Sequence, residues 1–158
     1  MSKLQDEVDL LRSIPMLANM PNNKLKLLAF SSDRVSYAKN ETLFHQGDDA
    51  DAAYIVISGT ADVLVASESG GKESKVAELG PNSFVGDMAI LCDIPRTASV
   101  KANEEMDTLR IRKEHMVDMM RDSPDLTMSV LRELVQRLAK TTHDLSVARD
   151  EVSRLKAS

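Results

Sequence analysis

The spacing of hydrophobic and polar positions changes twice along the chain and divides it into three regimes. From Ser2 to about Ser32 the spacing is helical. Leu4, Val8 and Leu11 share one face, Pro15 and Pro21 break the pattern, and Leu25, Leu28 and Ala29 resume it within Asn22–Phe30. From about Asp33 to Arg112 short alternating or apolar runs take over: Arg34–Tyr37, Thr42–His45, Ala53–Ser58, Ala61–Ala66, Ser74–Leu79, Thr97–Lys101 and Met106–Arg112. Turn signals separate them at Lys39-Asn40, Gln46-Gly47-Asp48, Ser58-Gly59, Ser69-Gly70-Gly71 and Leu79-Gly80-Pro81-Asn82. So many short strands at regular spacing predict a small barrel or jelly roll, which also hides strand edges. In the third regime Lys113–Arg121 predicts a helix that stops at Asp122-Ser123-Pro124-Asp125. Ser123 is then the N-cap, and Pro124 the first residue, of a helix running nearly to the C-terminus. At roughly 30 residues or more, such a helix asks for a partner.

That helix carries a seam. Leu131, Leu134, Leu138, Thr141, Leu145, Ala148, Val152 and Leu155 alternate at the three- and four-residue steps of a two-stranded coiled coil. In a parallel homodimer Asp144 can face Arg149 across the pair, and Glu151 can face Lys156. These flanking charges favour a dimer over a helix lying on its own barrel. One seam position is polar: Thr141, followed by Thr142. A buried hydroxyl there loses stability unless it finds a hydrogen-bond partner.

The 158 residues suit one core with an appended helix, and we divide them as 1–32 (N-terminal helical segment), 33–123 (β-barrel and following helix) and 124–158 (coiled-coil helix). Apolar runs are far shorter than a membrane span, and the N-terminus is polar. A single cysteine, Cys92, fits a reducing compartment, and a net charge of −5 argues against a nucleic-acid surface. The expectation is a soluble cytoplasmic protein that binds neither DNA nor membrane. His45, His115 and His143 are far apart without metal-ligand spacing, and neither a P-loop nor a paired-carboxylate motif is present. We therefore assign no catalytic residue, no metal ligand and no cofactor, and expect no enzyme activity.

The chemistry concentrates in Phe84-Val85-Gly86-Asp87-Met88-Ala89-Ile90-Leu91-Cys92-Asp93-Ile94-Pro95-Arg96-Thr97-Ala98-Ser99-Val100. A glycine turns the backbone into a short helical segment, and one arginine enters an alternating strand. Free N–H groups at a helix start and an arginine fork suit a compact anion. An acidic side chain beside an anion site is suited instead to accept hydrogen bonds from hydroxyls. The pairing of Asp87 with Arg96 points to a ligand holding a phosphate and a sugar hydroxyl close together.

This stretch resembles the phosphate-binding cassette of the cyclic-nucleotide-binding domain family, "F-G-E-x-A-L…P-R-x-A". Leu43-Phe44-His45-Gln46-Gly47-Asp48 and Tyr54-Ile55-Val56-Ile57-Ser58-Gly59 are similar to its "L-F-x-x-G-D" and "Y-I-I-x-x-G" strands, and the likeness covers roughly Ile14 to Leu145. The resemblance implies an α+β, mainly β fold: an eight-stranded jelly-roll β-barrel with N-terminal helices and a long C-terminal dimerisation helix. It implies that Arg96 pairs with the exocyclic oxygens of a cyclic phosphate and that the N–H groups of Ala89 and Thr97 complete the cradle. Asp87 and the Gly86 carbonyl would receive the ribose 2′-hydroxyl. Ala89 and Ala98 would be small where the ligand approaches, and Met88 lies within the same cassette. The family usually has glutamate at the position of Asp87; aspartate is one methylene shorter, so a shifted or water-bridged sugar contact is expected.

Gln136-Arg137-Leu138-Ala139-Lys140-Thr141-Thr142 resembles a segment of bacterial catabolite-activator proteins in which a Thr-Ser pair, the second residue from the neighbouring subunit, bonds the adenine amino group. The likeness implies cAMP as ligand, with Thr141 and Thr142 on the base. Thr97, directly after the cassette arginine, resembles cGMP-tolerant members and keeps cGMP as the alternative. The implied protein is a sensor in which the ligand repositions the C-terminal helix, with a hinge near Met120–Pro124, to signal to a protein effector. The other alternative is a coiled-coil interaction module whose nucleotide site is degenerate. The catabolite activators carry a DNA-reading helix-turn-helix after this helix. The chain ends at Ser158 before any such domain, which leaves a stand-alone sensor or the regulatory part of a longer protein.

Overall fold

The computed structural model describes residues 3–67 and 71–157; the predicted turn residues Ser69 and Gly70 lie outside them. Helices α1 (Lys3–Arg12) and α2 (Asn22–Ser31), joined by a 3-10 turn at Pro15–Leu17, precede the strands. These are β1 (Asp33–Tyr37), β2 (Thr42–Phe44), β3 (Ala52–Ser58), β4 (Ala61–Ala66), β5 (Glu73–Leu79), β6 (Phe84–Val85), β7 (Ser99–Ala102) and β8 (Met106–Arg112). Helix α3 (Asp87–Cys92) lies between β6 and β7, and α4 (Lys113–Asp122) and α5 (Pro124–Ala157) come after β8.

The strands form two four-stranded antiparallel sheets, ordered β1-β8-β3-β6 and β2-β7-β4-β5. This is the predicted α+β jelly-roll fold with helices at both ends; the two sheets face each other without closing into a continuous barrel. The first sheet is covered on both faces, which explains why β3 reads as an unbroken apolar run rather than an alternation. Ala53 and Ile55 point into the helical layer with Leu109, Ile111, Val8, Leu11, Leu25, Leu28, Met116 and Leu126. Tyr54 and Val56 point between the sheets with Val85, Val100, Ala102 and Met106. The second sheet turns one face to solvent, and most of β5 is exposed.

The predicted cap forms: the Leu126 amide donates to Ser123 Oγ at 3.2 Å, with Pro124 as the first residue of α5. Only the start of α5 packs on its own core. Leu126 and Val130 are buried and Leu134 is partly covered, whereas Leu138 (66%), Leu145 (58%) and Val152 (50%) are exposed. The helix thus leaves the barrel after about four turns, carrying the rest of the seam into solvent.

Several boundaries differ from the sequence reading by a residue or two, and three of the differences bear on the site. Strand β6 has no counterpart in it, because two residues cannot display an alternation. Strand β2 ends at Phe44 rather than His45. Strand β7 begins at Ser99 rather than Thr97, because Arg96 is tied to a neighbouring loop and the chain joins the ladder only after it.

Candidate functional site

The site is built around the turn from β6 into α3. Gly86 is the N-cap of α3 with φ +79°, in the left-handed region that disfavours a side chain. Space requires glycine as well: a Cβ here would stand 2.4 Å from Arg96 Nη1 and 3.2 Å from Phe44 Cε2. Helix α3 then runs six residues and ends at Asp93, itself left-handed with φ +56°. The first N–H groups of α3, through Ala89, have no intrahelical acceptor by position.

A loop holds Arg96 from behind. The Arg96 amide donates to the Asp48 carbonyl at 2.8 Å, and the Gly47 amide returns a bond to the Arg96 carbonyl at 2.8 Å. One residue earlier, the Gln46 amide donates to Ser99 Oγ at 2.8 Å. The Gln46-Gly47-Asp48 turn signal is therefore part of the site's scaffold.

Arg96 is 4% exposed. Its Nη1 donates to the Gly86 carbonyl at 2.8 Å and its Nη2 to the Ala52 carbonyl at 2.6 Å. The guanidinium carbon lies 4.0 Å from the centroid of the Phe44 ring, and Nε is buried without a hydrogen-bond partner among the described residues. Among the described residues no carboxylate forms an ion pair with it. Burial pulls its pKa below the ordinary arginine value, against an opposing pull from Tyr54, Asp51 and Asp48. Among the described residues this buried cation has carbonyls and a ring face but no ion-pair partner, and an anion would supply one.

Asp87 is also buried, at 2% exposure, but its charge is answered. Arg137 of α5 places Nη1 3.1 Å from Asp87 Oδ1 and Nη2 3.2 Å from the Phe84 carbonyl. Glu133, one turn earlier, lies 3.4 Å from the same Nη2. Burial pushes the Glu133 carboxyl up from its usual range, with Arg137 opposing and Asp87 adding to the rise. Arg137 thus fastens the long helix to both sides of Gly86.

The structure brings Gly86, Asp87, Ala89 and Arg96 together as buried or turn-forming elements of one site. Met88 and Thr97 are exposed on its rim and Ala98 is half-buried. Thr141 and Thr142 are exposed on α5; no described contact joins them to the cassette. Thr141 is four residues beyond Arg137 and so on the same helix face, about 6 Å farther along the axis. Sequence reading gives no role to Phe44, Ala52 or Arg137, which reach the site from sequence distances of up to 53 residues. Arg137 does fall within the segment singled out for base recognition. No three His, Cys, Asp or Glu side chains converge as a metal site among the described residues. No helix among them is long and apolar enough to cross a membrane.

Comparison with known proteins agrees with this geometry. An uncharacterized NTE family protein of Mycobacterium tuberculosis is 33% identical over 131 residues, which cover 83% of this chain and 22% of that protein. The cyclic AMP receptor protein of Thermus thermophilus is 27% identical over 144 residues, covering 91% of this chain and 66% of the relative. The crystal structure of the catabolite activator protein of Thermus thermophilus superposes with a TM-score of 0.73 at 27% identity, over 84% of this chain and 62% of that one. The chain therefore spans about a fifth of the first relative and two thirds of the second. The profile of the cyclic nucleotide-binding domain matches residues 34–123, which include both glycine-bearing strands and the whole of the cassette, and the chain belongs to that family.

Proposed function

We propose that the chain is a non-catalytic cyclic-nucleotide sensor whose ligand is cAMP. The observation that carries this reading is Arg96: a residue 4% exposed, its guanidinium partnered by carbonyls but, among the described residues, by no carboxylate, beside a buried acid and a glycine turn. The cyclic phosphate supplies the missing charge, with the Ala89 and Thr97 amides adding donors. Asp87 and the Gly86 carbonyl take the ribose 2′-hydroxyl. A carbonyl has two acceptor sites, so Gly86 can serve Arg96 and a hydroxyl together. Met88 and Ala98 border the ligand.

Asp87 and the Phe84 carbonyl are held by Arg137, so occupancy of the sugar site bears on the helix that carries Arg137. A ligand with different affinities for two positions of α5 shifts their populations, and Ser123, between α4 and α5, is the hinge. Residues 1–32 and 124–158 then act as the moving parts around the 33–123 barrel. The exposed seam at Leu138, Leu145 and Val152 supports a homodimer through α5, and in it Thr141 and, from the second copy, Thr142 would read the base. The signal passes to a protein effector in the cytoplasm, with no role for DNA or membrane. The NTE family relative shares only 22% of its length with this chain, so its family name carries no catalytic assignment to this domain.

Thr97, exposed beside Arg96, supports a second reading in which cGMP is preferred. Calorimetric titration of cAMP and cGMP, with the solution mass measured alongside, decides among these. Tighter cAMP binding by a dimer is expected. Tighter cGMP binding would select the second reading, and no heat from either would leave a coiled-coil module with a degenerate site.

A further inference from the structure

Two carbonyls fix the edges of the Arg96 guanidinium, but neither fixes its face. The face rests on Phe44, with the guanidinium carbon 4.0 Å above the ring centroid, well inside the range of a cation–π contact. Guanidinium faces are weakly hydrated, so stacking on an aromatic ring costs little solvation and restricts the plane. The ring is itself held in place. Its centroid lies 6.0 Å from that of Tyr54 at an interplanar angle of 31°, and Tyr54 meets Tyr37 edge-on at 6.5 Å. A register irregularity between Thr42 and Phe44 interrupts the β2–β7 ladder just before the ring, the kind of feature that re-aims a side chain. Gly86 closes the third side, since a Cβ there would press on both the guanidinium and the ring.

We infer that Phe44 is a positioning residue for the anion site: its ring face holds the Arg96 guanidinium in the plane from which it meets a phosphate. This rests on the reading of Arg96 as the phosphate-binding residue. The sequence offers Phe44 as a strand residue within the L-F-x-x-G-D likeness and assigns it no contact; what an aliphatic side chain in its place would lack is the electron-rich face.

The test replaces Phe44 in the full chain with phenylalanines carrying one, three and five fluorines, which drain the ring face while nearly preserving its shape. Phe44→Leu and Phe44→Tyr complete the set, with cAMP affinity and melting temperature measured for each. Affinity should fall stepwise with fluorination, reaching about 3- to 30-fold in the pentafluoro and Leu variants. Phe44→Tyr should stay close to the parent, and the melting temperature of the fluorinated variants should not track the affinity. Affinity that is flat or rises across the fluorinated series, while the parent binds normally, would overturn the role of Phe44 alone. A parent chain that binds neither cAMP nor cGMP would overturn the phosphate assignment, and the inference with it.

Discussion

Gly86→Ala adds a single methyl group to the site and separates two effects that most cassette substitutions mix. The new Cβ would stand 2.4 Å from Arg96 Nη1 and 3.3 Å from its Cζ, so the guanidinium must withdraw by roughly 1 Å to reach ordinary contact distance. That movement breaks the 2.8 Å bond from Nη1 to the Gly86 carbonyl, a hydrogen bond from a charged donor contributing about 1.5–3 kcal/mol. The φ of +79° separately costs alanine about 1–2 kcal/mol. The backbone strain is present with and without ligand, so it appears in folding stability. The Nη1 bond is also made without ligand, so its loss adds to the stability cost, while the guanidinium's displacement from the phosphate costs a charged hydrogen bond in binding. The expected result is a loss of about 2.5–5 kcal/mol in chemical denaturation at fixed protein concentration, with cAMP affinity about 10- to 150-fold weaker by calorimetry. Parent-like affinity in a folded Gly86→Ala protein would refute the idea that Arg96 must sit against Gly86 to hold the ligand.

Two further substitutions address the long helix. Arg137→Met removes the cation that answers Asp87, whose side chain is 3% exposed. Breaking a fully buried pair costs ~3–5 kcal/mol, but the Arg137 side chain is 36% exposed, so about 1–3 kcal/mol of stability should be lost. Unchanged denaturation would show that Asp87 does not need its helix partner. Replacing Thr141 and Thr142 together by valine should weaken cAMP more than cGMP in paired titrations; equal losses would remove their role in reading adenine.

Much of the fold is legible because its strands are long enough to show a period and its turns carry glycine or asparagine at the required places. The continuous apolar run of β3 marks a strand covered on both faces, and Ser123-Pro124 marks the start of α5. The segment from Phe84 to Val100 is legible as a site because its glycine, acid and arginine lie within eleven residues, Gly86 to Arg96. What stays hidden comes from elsewhere in the chain. Phe44, the Ala52 carbonyl and Arg137 reach the site only through the sheet order and the path of α5, and no local period encodes those. Thr97 cannot be told from a strand residue, since the loop bonds that hold Arg96 out of the ladder depend on Gly47 and Asp48 from a distant turn.

Arg96, a buried cation, is proposed to bind the cyclic phosphate of the ligand. Calorimetric titration of cAMP into the parent chain and into Arg96→Ala, with melting temperatures to verify folding, tests it most directly. The claim predicts saturable binding by the parent and a loss of about 2–5 kcal/mol in the variant, roughly 30-fold or more in affinity. A folded Arg96→Ala protein that binds cAMP as tightly as the parent would contradict it.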